Sequence, residues 1–309
     1  MKKARVTVVG AGFVGATAAQ RLVEKEIADV VLIDVVEGLP QGRALDMMES
    51  AFLEGFSSKI LGTNRYEDTA DSDVIVITAG LARRPGMSRD DLLFKNAEIV
   101  GGIVTECAKY SPEAVLVMVT NPLDVMTWLA WKKSGFPPER VIGMAGELDA
   151  ARYAYFLAEA TGASPAEVKA IVLGGHGDRM IPVPQHATVR GRPITELLDA
   201  AKIEAINQRA RDGGTEIVKL LKTGSAFYAP SSSTVRMVRA ILQNTGEVIP
   251  ACVYLKGPYG LNEVYCGVPV KLGRGGAEQV VELPITEEQR NALRASAEDV
   301  RLNFLKLRV

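Results

Sequence analysis

From Val6 to Gly143 the apolar residues fall into short continuous runs: Val6-Thr7-Val8-Val9, Val30-Val31-Leu32-Ile33, Val74-Ile75-Val76-Ile77, Ala114 to Val119, and a last short one at Val141-Ile142-Gly143. None shows the strict alternation of a strand with one wet face, so each predicts a strand covered on both faces. Between them lie helical stretches, and strands that alternate with helices build a parallel sheet with helices on both sides. The pattern changes after Gly135-Phe136-Pro137-Pro138, which breaks the chain before the last short strand. The second half carries a helix near Lys202 to Lys222, strands around Ala251 to Leu255 and Val264 to Leu272, and a turn marked by Gly273, Gly275 and Gly276. Thr286-Glu287-Glu288-Gln289 is a capping box opening a helix on which Leu293, Ala297, Val300, Phe304 and Leu307 form one apolar stripe, a core face.

The first run enters Gly10-Ala11-Gly12-Phe13-Val14-Gly15 and then a small-residue helix, Ala16 to about Lys25. Lys2 and Lys3 ahead of an apolar stretch resemble a secretory leader. That reading discards three glycines whose spacing has a better explanation, and the stretch is too short to span a bilayer. Gly10 permits the turn, Gly12 lets backbone N–H groups approach a pyrophosphate, and Gly15 lets helix and strand pack closely. The second run ends on Asp34, at the distance a dinucleotide fingerprint requires. A carboxylate there accepts hydrogen bonds from ribose hydroxyls and repels a 2′-phosphate, which predicts NAD over NADP. The alternative is a surface cap on the strand. From Gln41 to Phe52, apolar groups cover more of a helix than one buried stripe needs, which fits either a helix wedged in its own core or a subunit contact.

Composition narrows the partners. Lys and Arg total 36 against 37 Asp and Glu, a net charge of -1, so nothing draws the chain to nucleic acid or an anionic membrane. No run approaches the roughly 20 apolar residues of a membrane helix. The 3 cysteines, Cys107, Cys252 and Cys266, make no disulfide ladder, no Cys-x-x-Cys pair and no metal site, which suits a reducing compartment, the cytoplasm. With only 2 histidines, a base titrating near neutrality must be His176 or His186.

His176 has the better setting. It sits in Gly174-Gly175-His176-Gly177-Asp178, between the apolar runs Ala170 to Leu173 and Met180 to Val183, so a tight turn joining two short strands leaves the imidazole reachable. An ordinary turn residue is the competing reading. Other candidates gather at carboxyl ends of strands, where doubly wound sheets bind ligands. After Thr78-Ala79-Gly80 comes a loop with Arg83, Arg84, Gly86 and Arg89 ahead of a helix at Asp90; a solvated charge run and a basic nucleic-acid patch are possible, but its origin at the cofactor end favours a mobile anion-binding lid. Thr120-Asn121-Pro122 ends another strand; Asn121 is either a turn former or an amide donor to a substrate oxygen. Asp149 and Arg152 share one helix face, which a simple intrahelical ion pair would also explain.

Taken together, the glycine turn, Asp34, the Ala82 to Arg89 loop, Thr120-Asn121-Pro122, Leu148-Asp149-x-x-Arg152 and Gly175-His176-Gly177-Asp178 resemble the lactate/malate dehydrogenase family over nearly the whole chain. The resemblance implies an α/β chain: an N-terminal Rossmann doubly wound parallel sheet binding NAD (residues 1–146), then a C-terminal α+β substrate domain with antiparallel strands (147–309). It implies reversible oxidation of (S)-malate to oxaloacetate, with His176 as acid and base, Asp149 holding its tautomer, Arg152 gripping the C1 carboxylate, and Arg89 with Asn121 polarising the carbonyl. Asn96 and the backbone of Val119, Thr120 and Asn121 join the glycine turn and Asp34 in holding NAD. Arg83 stands where malate enzymes carry arginine and lactate enzymes glutamine; pyruvate's methyl would leave that cation unpaired, so malate is favoured over lactate or another 2-hydroxy acid. A homodimer or homotetramer is also implied. Glu147 departs from the family, which usually has an apolar residue before Leu-Asp, and puts local packing in question. A non-catalytic NAD-binding module would explain the glycines and Asp34, but not the company of Arg83, Arg89, Asn121, Asp149, Arg152 and His176.

Overall fold

The computed structural model describes residues 3–82 and 86–309, so the predicted lid residues Arg83, Arg84 and Pro85 lie outside the described residues. Six strands carry the first half: β1 (Arg5–Val9), β2 (Asp29–Ile33), β3 (Ile60–Thr63), β4 (Val74–Ile77), β5 (Val115–Met118) and β6 (Val141–Gly143). Between them run α1 (Phe13–Glu24), α2 (Leu39–Glu54), α3 (Arg89–Tyr110) and α4 (Leu123–Ser134). All six strands are parallel, and β4 and β5 are buried at every position, as their unbroken apolar runs require.

The second half opens with α5 (Gly146–Thr161) and the short strands β7 (Val168–Lys169), β8 (Val172–Leu173), β9 (Ile181–Pro182), β10 (Thr188–Val189) and β11 (Arg192–Pro193). It continues with α6 (Ile194–Leu197), α7 (Ala200–Leu221), α8 (Tyr228–Gln243), β12 (Val248–Lys256), β13 (Asn262–Gly273), β14 (Gly276–Val280) and α9 (Glu287–Leu305). The short antiparallel strands form two small sheets, β11-β10-β7 and β8-β9, but the long ones, β12 to β14, do not stand apart. β12 pairs with β6 through Cys252 and Gly143, giving one nine-stranded sheet in the order β14-β13-β12-β6-β5-β4-β1-β2-β3. The order reverses at β1, between β2 and β4, so helices leave on opposite faces and a crevice opens at the carboxyl ends of β1 and β4.

Local differences from the sequence reading have physical causes. α1 begins at Phe13, three residues early, because Gly12 takes the N-cap position. α3 begins at Arg89: Ser88 and Asp91 form a capping box, which moves Arg89 from the loop onto the first helical position. β3 was not visible in the sequence because Gly62 interrupts it. A Cβ there would stand 2.1 Å from the Pro40 carbonyl oxygen, so the start of α2 demands the glycine. Glu147 fits its helix as a buried carboxylate, 2.6 Å from Arg236 on α8, which also meets Glu247. Burial pushes the Glu147 carboxyl up, only partly offset by Arg236. The capping box at Thr286 forms, and Leu293, Ala297, Val300 and Phe304 of α9 are buried in the core.

Candidate active site

At the end of β1, Gly10 turns with a φ of 103°, and a Cβ on it would meet the Thr78 hydroxyl at 2.7 Å and the Ala79 nitrogen at 2.8 Å. A Cβ on Gly15 would reach the Gly10 carbonyl oxygen at 1.9 Å, closer than any atom can stand. These two glycines permit strand and helix to close up. Gly12 differs: no atom of the described residues lies within 4 Å of its Cβ position, and as N-cap it offers no side chain to the first N–H groups of α1. The helix start is therefore an open cradle with unspent donors and a positive dipole end, the setting that suits a pyrophosphate. Phe13 stands exposed beside it, stacked on Phe227 at 5.2 Å between ring centres.

Asp34 closes the cradle. Its carboxylate accepts from the Ala11 backbone N–H at 2.7 Å and the Val36 N–H at 3.0 Å, so the turn and the end of β2 fix its orientation. Each oxygen keeps a further lone pair for a ribose hydroxyl. The residues present thus fit a dinucleotide. Thr120 donates to the Ala79 carbonyl at 2.7 Å, tying the ends of β4 and β5 together, while Val119 is half-buried and Asn121 exposed at the crevice. Asn96 is fully buried. Its amide donates to the carbonyls of Leu81 and Asn121 and accepts from the Leu81 N–H, which joins the segment after β4 to the Asn121 turn.

A second cluster forms where α5 meets the β8–β9 connection. Asp149, with its side chain 3% exposed, lies 2.9 Å from His176 Nδ1 through one oxygen and 3.2 Å from Arg152 Nη1 through the other. The imidazole is 21% exposed. Burial pushes its pKa down, but the Asp149 charge and hydrogen bond, with a smaller contribution from the Asp124 charge, outweigh burial and the Arg152 charge, leaving it raised. With Nδ1 donating to the carboxylate, Nε2 is the ring nitrogen left for exchange with a bound molecule. Among the described residues Arg152 Nε is buried without a hydrogen-bond partner, and α7 makes room for the guanidinium with Gly213 and Gly214, where a Cβ would stand 3.2 Å from Arg152 Cδ and 3.5 Å from Nη2 respectively. Arg89 projects from the start of α3 and meets Asp178, two residues beyond His176, at 3.4 Å; both side chains are exposed. His186 lies apart, its Nε2 bonded to the Pro284 carbonyl.

The sequence reading did not single out Gly213, Gly214 or Ser231. A glycine pair inside a helix costs about 1 kcal/mol per residue relative to alanine, and that cost was the available signal. Ser231, fully buried on α8, donates to the Val14 carbonyl at 2.8 Å and seats α8 on the glycine turn.

Comparisons with known proteins give the family and the fold. A family model described as lactate/malate dehydrogenase, NAD binding domain, matches residues 4–143, and the alpha/beta C-terminal domain of the same family matches residues 146–306. The malate dehydrogenase of Synechocystis sp. is 57% identical over 300 residues, 97% of this chain and 93% of its own length. That of Chloroherpeton thalassium is 57% identical over 298 residues, 96% of both chains. The solved malate dehydrogenase of Salinibacter ruber superposes with a TM-score of 0.94 at 46% identity, covering 98% of this chain and 97% of that one. The lactate dehydrogenase of Cryptosporidium parvum, solved with lactic acid and nicotinamide adenine dinucleotide, gives 0.96 at 37% identity, covering 99% and 98%. With the glycine cradle, the continuous sheet and both halves matched along nearly its full length, the chain belongs to the lactate/malate dehydrogenase family.

Proposed function

We propose that the chain is an NAD-dependent malate dehydrogenase, with residues 1–146 holding the cofactor and residues 147–309 supplying most of the substrate chemistry. The observation that carries the reading is one buried carboxylate, Asp149, joined to both His176 and Arg152. Bound at the Gly10 to Gly15 cradle and Asp34, the nicotinamide cofactor supplies the hydride acceptor for malate oxidation and the hydride donor for oxaloacetate reduction. In oxidation, His176 Nε2 takes the malate hydroxyl proton as hydride leaves C2, and Asp149 stabilises the imidazolium that results. In reduction His176 returns that proton to the oxygen. Arg152 pairs with the C1 carboxylate, for which its unspent Nε is available. Arg89 leaves its exposed contact with Asp178 to polarise the C2 carbonyl, with Asn121 beside it. Arg83 pairs with the second carboxylate and so selects malate over lactate, a choice on which the fold is silent, since a lactate dehydrogenase superposes equally well. Asn96 acts through the Leu81 and Asn121 backbones that it clamps.

A homodimer or homotetramer is proposed on α2, whose Leu45, Phe52 and Leu53 are exposed in the single chain. Three free, buried cysteines support a cytoplasmic location, and among the described residues no helix is long and apolar enough to cross a membrane. The catalytic reading is tested with His176→Asn: turnover in both directions is expected to vanish while NADH, followed by its fluorescence, binds as in the parent. Parental turnover in that variant overturns it.

A further inference from the structure

Three successive backbone N–H groups of the histidine turn are each held by a different element. Gly174 donates to the Gly267 carbonyl of β13 at 2.8 Å, Gly175 to the Ser296 hydroxyl of α9 at 2.8 Å, and His176 to Asp124 Oδ2 at the start of α4 at 3.2 Å. The turn is pressed down on these groups. A Cβ on Gly175 would stand 3.2 Å from both Asp124 Oδ2 and Ser296 Oγ, and one on Gly267 would stand 2.2 Å from the Gly174 carbonyl oxygen. Ser296 and Asp124 are both buried, and among the described residues Asp124 Oδ1 has no hydrogen-bond partner. A buried carboxyl is costly to retain, so its place under the turn needs a reason. Among the described residues no cation is bonded to Asp124, and its carboxylate accepts from the main chain of the one residue whose ring must stay aligned with Asp149.

We propose that Asp124 is a positioning residue for the reaction: with Ser296 it holds the main chain of residues 174–176, so that the His176 imidazole stays seated on Asp149. The inference rests on the reading of His176 as the acid and base. An acceptor suffices for this work, so an amide oxygen can replace the carboxylate oxygen, whereas a methyl group cannot. Burial pushes the Asp124 carboxyl up, against the opposing pull of Cys252, the His176 N–H and the His176 charge.

The full chain is compared with Asp124→Ala, Asp124→Asn, Ser296→Ala and His176→Asn by steady-state kinetics over pH and by NADH fluorescence titration. In Asp124→Ala, kcat is expected to fall by about 10–100-fold, as a misplaced catalytic group does, with NADH affinity and the KM for oxaloacetate near parental. The pH limb that reports His176 moves to lower pH, because the imidazole loses the Asp124 charge and, less well seated on Asp149, part of what that carboxylate contributes. Asp124→Asn recovers most of kcat, and Ser296→Ala shifts kcat and the limb in the same direction by less. Parental kcat and limb in Asp124→Ala overturn the proposal, as does Asp124→Asn matching the alanine variant. If Asp124→Ala does not fold, Ser296→Ala decides: reduced kcat at parental NADH affinity supports the seating role, and parental kcat and limb overturn it. An active His176→Asn would instead overturn the reading beneath; an inactive one beside an unaffected Asp124→Ala overturns this proposal alone.

Discussion

Replacing Asp149 by asparagine tests the charge at the centre of the site. The substitution keeps size and shape but removes the negative charge 2.9 Å from His176 Nδ1. Two unit charges about 4 Å apart at an effective dielectric near 20 interact by roughly 4 kcal/mol. A hydrogen bond to a charged group is worth about 1.5–3 kcal/mol net, and the nearby Arg152 charge already opposes the imidazolium, so about 3 kcal/mol of its stabilisation is expected to go. At about 1.4 kcal/mol per decade, kcat falls roughly 100-fold.

The pH dependence carries a sign. His176 is raised by Asp149 against burial, so removing the charge lowers its pKa. Malate oxidation needs the neutral ring and reduction the protonated one, so the acid limb of oxidation and the alkaline limb of reduction both move to lower pH. A histidine with a raised folded-state pKa contributes stability that is full below its unfolded value and lost as pH rises through the folded value. The thermal deficit of the variant is therefore largest on the acid side. Initial rates in both directions, followed by NADH absorbance across pH, together with melting curves, measure all of this. Unchanged limbs with parental kcat would refute the electrostatic coupling.

Asp34→Ser removes the carboxylate that repels a 2′-phosphate, and the ratio of apparent NADP to NAD affinity should rise, as titration with each cofactor will show. Phe52→Glu places a charge on the exposed apolar face of α2, and sedimentation is expected to show a smaller assembly than the parent. Arg236→Ala strips the partner from buried Glu147, and because Arg236 is 46% exposed the loss is about 1–2 kcal/mol, less than for a fully buried pair. Glu147 has a raised pKa, so protonation relieves the unpaired charge, and the melting deficit narrows as pH falls through that value.

Much of the nucleotide half is legible in the sequence because its strands are covered on both faces and its turn is constrained by contact. The roles of Gly10 and Gly15 follow from spacing, and the overlaps a Cβ would create give the physical reason. Asp149 and Arg152 were legible as one helix face, but that face meeting His176 followed only from the family resemblance, since the partners stand 27 residues apart along the chain. Continuity of the sheet escaped the sequence because the β6–β12 contact is a single long-range register pair between Gly143 and Cys252. Asp124 and Ser296 had no local signal at all. One follows a proline at a helix start, the other sits within a core stripe, and only folding brings them beneath the histidine turn.

The central claim is tested most directly by following NADH oxidation with oxaloacetate and with pyruvate in parallel, at matched enzyme and pH. The account predicts a strong preference for oxaloacetate, lost toward pyruvate in Arg83→Gln. A preference of the parent chain for pyruvate would contradict the substrate assignment, and inactivity with both would contradict the enzyme reading itself.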